Sequence, residues 1–197
     1  MFRSFLEAFV EDPWIRTDRL VMRPWQVSDV DRLVLMTQEL GFRADWGPFK
    51  EPMDRARALA WVENSLESIQ ELRLGAWAVV EHNHVVGVAL LMPRWLDGET
   101  TSLMAVEYRL LRSAWGRGLA TEAILGLIDY GHAQHGLTEF HAFVPPDNAH
   151  AKNVAFKVGM TYWRMAHIQG TVVEVFRSRV TPGHPGTRSS NWKENVA

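Results

Sequence analysis

The stretch SLMAVEYRLLRSAWGRGLATEA, residues 102 to 123, restricts the fold more than any other part of the chain. Residues 102 to 111 read as the longest strand. From Gly118 onward, Ala120, Ala123, Ile124, Leu127, Ile128 and Gly131 recur at the one-face spacing of an amphipathic helix. Between strand and helix stand Gly116 and Gly118, although glycine at a helix start costs roughly 1 kcal/mol against alanine. A ligand that must come close to the backbone is one reason to accept that cost. A strand that turns through glycines into a helix N-terminus is an anion site: the first helical N–H groups have no internal partner, and the helix dipole adds partial positive charge. The turn is not a Walker loop, because no G-K-[ST] follows, and it lacks the third glycine of a dinucleotide-binding turn.

The rest of the pattern makes a mixed α/β domain. DRLVMRPW, 18 to 25, predicts a first strand. A helix follows from Ser28, with Ser28 and Asp31 as a capping box; a second helix runs from about Asp54 to Leu72. GAWAVVE (75 to 81) and VVGVALLM (85 to 92) predict a hairpin turning at His82, Asn83 and His84. EFHAFV, 139 to 144, is a strand. A short helix runs from Asn148 to a stop at Gly159, and two strands at about 161 to 168 and 171 to 179 complete the pattern. Residues 1 to 16 read as a helical extension, 17 to 180 as one domain, and the Gly/Pro/Ser-rich 181 to 197 as a loose tail. The apolar face of residues 2 to 10 suits its own domain or a second subunit, which makes a homodimer an expectation.

Composition narrows the partners. The chain has 197 residues, with 21 basic and 23 acidic side chains and no long run of like charge, so neither nucleic acid nor an anionic membrane is expected as a partner. It has no cysteine, which excludes disulfides, thiolate chemistry and cysteine-ligated metal and fits a cytoplasmic home. Glu7, Glu11 and Asp12 interrupt the apolar N-terminus, so a signal peptide is not expected. The pairs His82/His84 and His132/His135 have no third ligand nearby in sequence, and no metal is expected. Nine tryptophans imply an aromatic core; Trp46, in a loop, is the candidate for a pocket wall.

RLLRSAWGRGLATEA resembles the acyl-CoA signature of the GCN5-related N-acetyltransferases, in the branch of the ribosomal-protein N-terminal acetyltransferases (RimJ/RimL-like), where W-G-x-G-x-A-T-E-A is typical. NAHAKNVAFKVGM, 148 to 160, resembles that branch's second signature, with Asn148, Val154, Lys157, Gly159 and Met160 in place. TDRLVMRPWQVSDVDRL resembles its opening, so the likeness covers about residues 17 to 180. It implies the GNAT fold: a mostly antiparallel twisted sheet of about seven strands, the fourth and fifth splayed, with about four helices. It implies acetyl-CoA as co-substrate. The pantetheine would pair with the backbone of Tyr108 to Leu110. The pyrophosphate would lie on the turn formed by Arg112, Trp115, Gly116, Arg117, Gly118, Leu119, Ala120 and Thr121. Asn148 would contact the pantetheine arm. Arg112 and Arg117 are either phosphate partners or plain surface charges.

The implied chemistry is attack of a neutral primary amine on the thioester carbonyl in a ternary complex, with a backbone N–H holding the oxyanion. It needs a base and a proton donor, yet three positions that relatives use for these are apolar: Phe143, Ala151 and Ala155. Candidates to replace them are Glu107 and His141 as base, Tyr108 as proton donor to the thiolate, and His150 beside Ala151. The opposite reading of each is a structural or solvent-facing side chain. Strand alternation puts Glu107 and Tyr108 on opposite faces unless a bulge intervenes. The second reading of the whole chain is a catalytically silent acyl-CoA sensor or interaction protein. The acceptor, a small-molecule or protein amine, would enter between the 43 to 46 loop and the 93 to 101 loop, where Asp45 and Glu99 suit a cationic amine.

Overall fold

The computed structural model describes residues 13–42 and 46–179. The expected N-terminal helix with its apolar face, the C-terminal tail and Asp45 lie outside the described residues. The strands are β1 (Ile15–Arg16), β2 (Val21–Pro24), β3 (Gly75–Glu81), β4 (His84–Arg94), β5 (Leu103–Leu110), β6 (Glu139–Val144), β7 (Thr161–Ile168) and β8 (Thr171–Arg179). The helices are α1 (Val30–Gln38), α2 (Arg55–Leu72), α3 (Leu119–His135) and α4 (Ala149–Lys157). The sheet has eight strands in the order β1-β2-β3-β4-β5-β6-β8-β7. That is one more than the seven expected, because Ile15 and Arg16 pair antiparallel with Met22 and Val21. Residues 15 and 16 therefore belong to the sheet and not to a helical extension, and the splayed pair becomes the fifth and sixth strands.

Every neighbouring pair is antiparallel except β5 and β6, which run parallel. The β3–β4 hairpin turns on His82 and Asn83, both at positive φ (47° and 64°). A two-residue turn with that geometry matches the right-handed twist of its strands. α1 and α2 cover one face of the sheet, where Val30, Leu33, Val62, Ala76, Val88 and Leu90 pack in one core. α3 and α4 cover the other, with Leu127, Ala155, Trp77, Leu91 and Phe140. Gly131 lets α3 lie close to the sheet: a Cβ there would stand 2.8 Å from Phe140 Cε1 and 3.0 Å from Leu91 Cδ2. A third cluster fills the half of the sheet beyond β5, with Trp46, Leu96, Ala105, Phe143, Val173 and Val175.

The start of α1 differs from the expected capping box. A 3-10 turn (Val27–Asp29) precedes the helix, and the box is formed by Gln26 and Asp29 instead of Ser28 and Asp31. Asp29 accepts the Gln26 N–H at 2.9 Å and both Nη groups of Arg23, at 2.7 and 3.0 Å. Arg23 on β2 fixes this choice, and no sequence pattern shows it. α2 begins where expected, and Asp54 caps it, accepting the Arg57 N–H at 2.8 Å.

Glu122, in the first turn of α3, ties that helix to the β1–β2 turn. Its carboxylate accepts Thr17 Oγ1 (2.6 Å), the Arg19 N–H (2.7 Å) and Arg19 Nε (2.7 Å). Burial alone would raise its pKa; the bonds from Thr17 and Arg19 outweigh burial and hold it below the ordinary value. A carboxyl with a lowered folded pKa contributes stability above its unfolded pKa and loses it as pH falls through the folded one. Glu122→Ala should therefore cost about 1–2 kcal/mol at pH 7, after discount for the half-exposed Arg19, or about 3–6 °C in Tm. The gap to the wild type should close below about pH 4. Thermal melts across pH check this, and equal Tm values at pH 7 would contradict it.

Candidate active site

The site begins where β5 and β6 part. Their ladder has a single register pair, Ala105 with His141. On its other side β5 pairs with β4 without interruption, from Leu103–Arg94 to Leu110–Gly87. In a strand, alternate residues direct both backbone polar groups to the same edge. The Leu111 N–H donates to Val86 O on the β4 side, at 2.9 Å. The even-numbered residues face the other way. Met104 O lies 3.3 Å from His141 Nδ1, Tyr108 O accepts Arg109 Nη1 at 2.8 Å, and Leu110 O accepts Trp115 Nε1 at 2.8 Å. Tyr108 and Leu110 therefore present N–H and C=O groups to the gap, and Val106 its C=O, because the Val106 N–H serves the Ala105–His141 pair; side-chain donors rest on the carbonyls of Tyr108 and Leu110.

The gap leads to the glycine turn. A 3-10 turn (Arg112–Ala114) follows β5, then Trp115 to Gly118, then α3. Gly116 and Gly118 have φ of 72° and 78°, and Gly118 is the N-cap of α3. Left-handed backbone is a reason for glycine independent of any ligand. The space is also open: a Cβ on Gly116 would meet nothing within 4 Å, and one on Gly118 only Arg19 Nη2, at 3.5 Å. Across the gap, Asn148 caps α4, its side-chain oxygen accepting the Ala151 N–H at 3.0 Å. A cleft of about 430 Å³ opens there, lined by Pro145, Asp147, Asn148, Ala149 and His150.

The structure distributes the expected site residues unevenly. Arg117 grips the buried Glu81 on β3 with both Nη groups, at 2.8 and 2.6 Å, and so serves the fold of the turn. The Arg112 guanidinium lies 5.7 Å over the Trp115 ring. Leu119 is buried; Ala120 and Thr121 are half-buried in the first turn of α3. Arg19, which the sequence did not single out, reaches the turn, its Nη1 donating to Arg117 O at 2.8 Å.

Glu107 and Tyr108 lie on opposite faces, as strand alternation requires, because β5 carries no bulge. Glu107 is buried on the α1/α2 side and held by Arg94 Nε at 2.6 Å. Tyr108 packs on the α3/α4 side with Ala151 and Ala155 in one cluster, and burial, slightly offset by Arg109, raises its phenol to about 12. His141 is 2% exposed and shares the face of Ala105 and Glu107. A carbonyl can only accept, so the bond to Met104 O puts the proton on Nδ1 and leaves Nε2 a lone pair. Nε2 lies 3.2 Å from Glu139 Oε1, yet off the direction of a hydrogen bond. Burial lowers the His141 pKa, against the smaller raising effects of Met104 and Glu139.

The acceptor-side expectations change most. Trp46 is buried rather than lining an open loop. Glu99 pairs with Arg164 at 3.0 Å, so its charge is already met. No group of three or more His, Asp or Glu that could hold a metal occurs among the described residues. No helix of the described residues is long and apolar enough to cross a membrane.

These features define a class, the acyltransferases whose donor lies between splayed strands and over a helix N-terminus. A family model, the acetyltransferase (GNAT) domain, matches residues 19–161, and the chain belongs to that family, an acetyl-CoA-dependent one. The uncharacterized N-acetyltransferase p20 of Bacillus licheniformis is 29% identical over 134 residues, 67% of this chain and 73% of p20. YkkB of Bacillus subtilis (strain 168) is 25% identical over 111 residues, 55% of this chain; the match spans 63% of YkkB, under two thirds of its length. Among solved structures, the ribosomal α-N-protein acetyltransferase RimL in complex with coenzyme A superposes with a TM-score of 0.70 at 17% identity, covering 85% of this chain and 98% of RimL. That likeness is one of fold.

Arg117→Ala should separate the two roles open to this arginine. It strands the buried Glu81 carboxylate but removes a half-exposed partner, so the expected loss is about 1–2 kcal/mol. Acetyl-CoA affinity should change less than about threefold, far below the loss expected for a charge-assisted phosphate contact. Thermal melts and calorimetric titration read the two quantities, and an intact Tm with a large affinity loss would reverse the assignment.

Proposed function

We propose that the chain transfers an acetyl group from acetyl-CoA to a primary amine by direct attack in a ternary complex. The single observation that carries this reading is the gap between β5 and β6, edged by the backbone groups of Val106, Tyr108 and Leu110 and ending on the open turn at Gly116. Those residues fit the donor. The strand edge would pair with an extended amide-bearing arm. The amides from Arg112 to Thr121 would receive a diphosphate at the positive end of α3. Asn148 has its oxygen committed to the α4 cap, and its NH2 would serve the arm.

In this reading His141 is the base. Its Nε2 lone pair takes one proton from the acceptor's ammonium, and its lowered pKa keeps it neutral at pH 7. The amine nitrogen then attacks the thioester carbonyl, and a gap-facing N–H of β5 holds the oxyanion. As the C–S bond breaks, the Tyr108 phenol protonates the departing thiolate; its high pKa keeps it protonated until then. The second amine proton leaves as the amide forms and restores the Tyr108 phenol, and His141 gives its proton to solvent, so the net products are an amide, a free thiol and one proton. Tyr108 packs in one cluster with Ala151 and Ala155, which supports its phenol in place of the hydroxyls that the resemblance implies there. Glu107, held by Arg94, positions the acceptor side and does not move the proton. Whether the amine is borne by a small molecule or by a protein is left to the site's own chemistry.

Thiol release from acetyl-CoA should appear only with an amine present, and the chain's own mass should not rise by an acetyl group when the acceptor is omitted. His141→Gln should lower kcat by about 10²-fold or more. It should also abolish the acid limb of the kcat–pH profile, which in the wild type should lie below the ordinary histidine value of about 6.5. Acetyl-CoA binding without turnover of any amine would favour the silent-sensor reading. An acid limb that survives in His141→Gln would move the base elsewhere.

A further inference from the structure

Beyond the reaction class, the structure bears on what the acceptor looks like. The half of the sheet beyond the splay collects polar atoms that are buried and unbonded. Trp46 Nε1, His141 Nε2 and Arg164 Nε have no hydrogen-bond partner among the described residues. Trp46 and His141 are 4% and 2% exposed. They belong to one place. Trp46 and Trp163 pack in the same cluster, with Ala105 at the splay point. The His141 ring lies 5.6 Å from Trp163. Trp25 Nε1 is also unbonded, but it sits in the separate α1/α2 core.

The charge there is basic. Trp163 sits at the bulge of β7, where the register shifts between Tyr162 and Arg164. Both the Arg164 and the Arg177 guanidiniums lie over its ring, at 4.6 and 4.9 Å. Arg177 stands opposite His141 in the β6–β8 ladder, on the same face. The carboxylates nearby have partners: Glu99 is paired with Arg164, Glu107 with Arg94, and Glu139 with Arg179 at 2.9 Å through one oxygen, while its other oxygen stands 3.2 Å from His141 Nε2, on the amine side. Arg177 makes no ion pair among the described residues. A polycationic amine would meet these arginines as like charges. An acceptor bearing an anionic oxygen group would meet the indole N–H of Trp46, the Nε–H of Arg164 and the fork of Arg177, all donors. Leu96, Phe143 and Trp163 would hold an apolar body between that group and the amine.

We infer that the acceptor is a small amine carrying an anionic oxygen group, received by Arg177, Arg164 and Trp46 with its amine at His141. This rests on the transferase reading and names its substrate class. It reverses the expectation of a cationic acceptor drawn from Asp45 and Glu99. The transfer balances as written above, and the anionic group takes no part in the bonds that change.

The test uses the full chain with saturating acetyl-CoA or CoA and two readouts, thiol release and quenching of tryptophan fluorescence on acceptor binding. The probes are L-leucine and L-phenylalanine, their methyl esters, O-phosphoethanolamine and spermidine. At least one anionic amine should exceed the esters and spermidine in kcat/KM by tenfold or more, and the phosphate probe against the amino acids tells which anion the site prefers. Arg177→Gln should erase that preference by raising KM for the anionic amines tenfold or more, with a much smaller change in their kcat. Binding of an anionic amine, lost in Arg177→Gln, with no turnover would uphold the inference while removing the transferase reading. Preference for spermidine or the esters, or no binding of any anionic amine, would overturn it.

Discussion

The parting of β5 from β6 is the constraint on which the rest of the site depends. One backbone pair, Ala105 with His141, holds the two strands together. Beyond it, the edge of β5 is left with backbone groups that the sheet does not use. Unpaired backbone groups are costly unless water, side chains or a ligand satisfy them. Here Arg109 and Trp115 cover the carbonyls of Tyr108 and Leu110. The sheet thus keeps a ready-made ladder for an extended ligand, and the same junction brings His141 to the point where such a ladder would end.

The glycine turn is held by ion pairs on both sides. Arg117 reaches Glu81 on β3, while Arg19 and Thr17 reach Glu122 in α3. These bonds fix the end of α3 relative to the sheet without occupying the space in front of Gly116. The division of labour is physical: long charged side chains set the position, and backbone amides remain for the ligand. The arginine inside the W-G-R-G turn looks like a phosphate ligand from its place in the sequence, yet its partner is a buried carboxylate 36 residues earlier.

Much of this was legible in the sequence. The β6 strand, 139 to 144, and the final pair at 161 to 168 and 171 to 179 follow from period and punctuation, and the structure places them there. The helices that start near Asp54 and Asn148 also stand where expected, and the structure adds that both residues cap them, their short polar side chains accepting an N–H. The opposite faces of Glu107 and Tyr108 follow from period two. What the sequence concealed is set by pairing across the fold. The extra strand at Ile15 and Arg16 is too short to carry a pattern. The burial of Trp46 and the pairing of Glu99 with Arg164 are set by contacts across the fold, and the β7 bulge beside Arg164 leaves no mark in a run such as TYWRMAHI. Arg177 lies opposite His141 only through the register of β8, which no local motif encodes.

The central claim is that the β5–β6 gap and the turn at Gly116 bind acetyl-CoA. Calorimetric titration of the full chain and of Gly116→Val tests it most directly, because a Cβ there would meet no protein atom within 4 Å and the larger side chain would project into the space assigned to the diphosphate; Gly116→Ala, at the same φ of 72°, is the control for backbone strain. Circular dichroism would confirm that the variant keeps its fold. The account predicts a Kd of about 1 μM, some 8 kcal/mol, for the wild type, weakened at least about tenfold in the folded variant, a loss of roughly 1.4 kcal/mol. No binding by the wild type, or equal binding by a folded Gly116→Val, would contradict it.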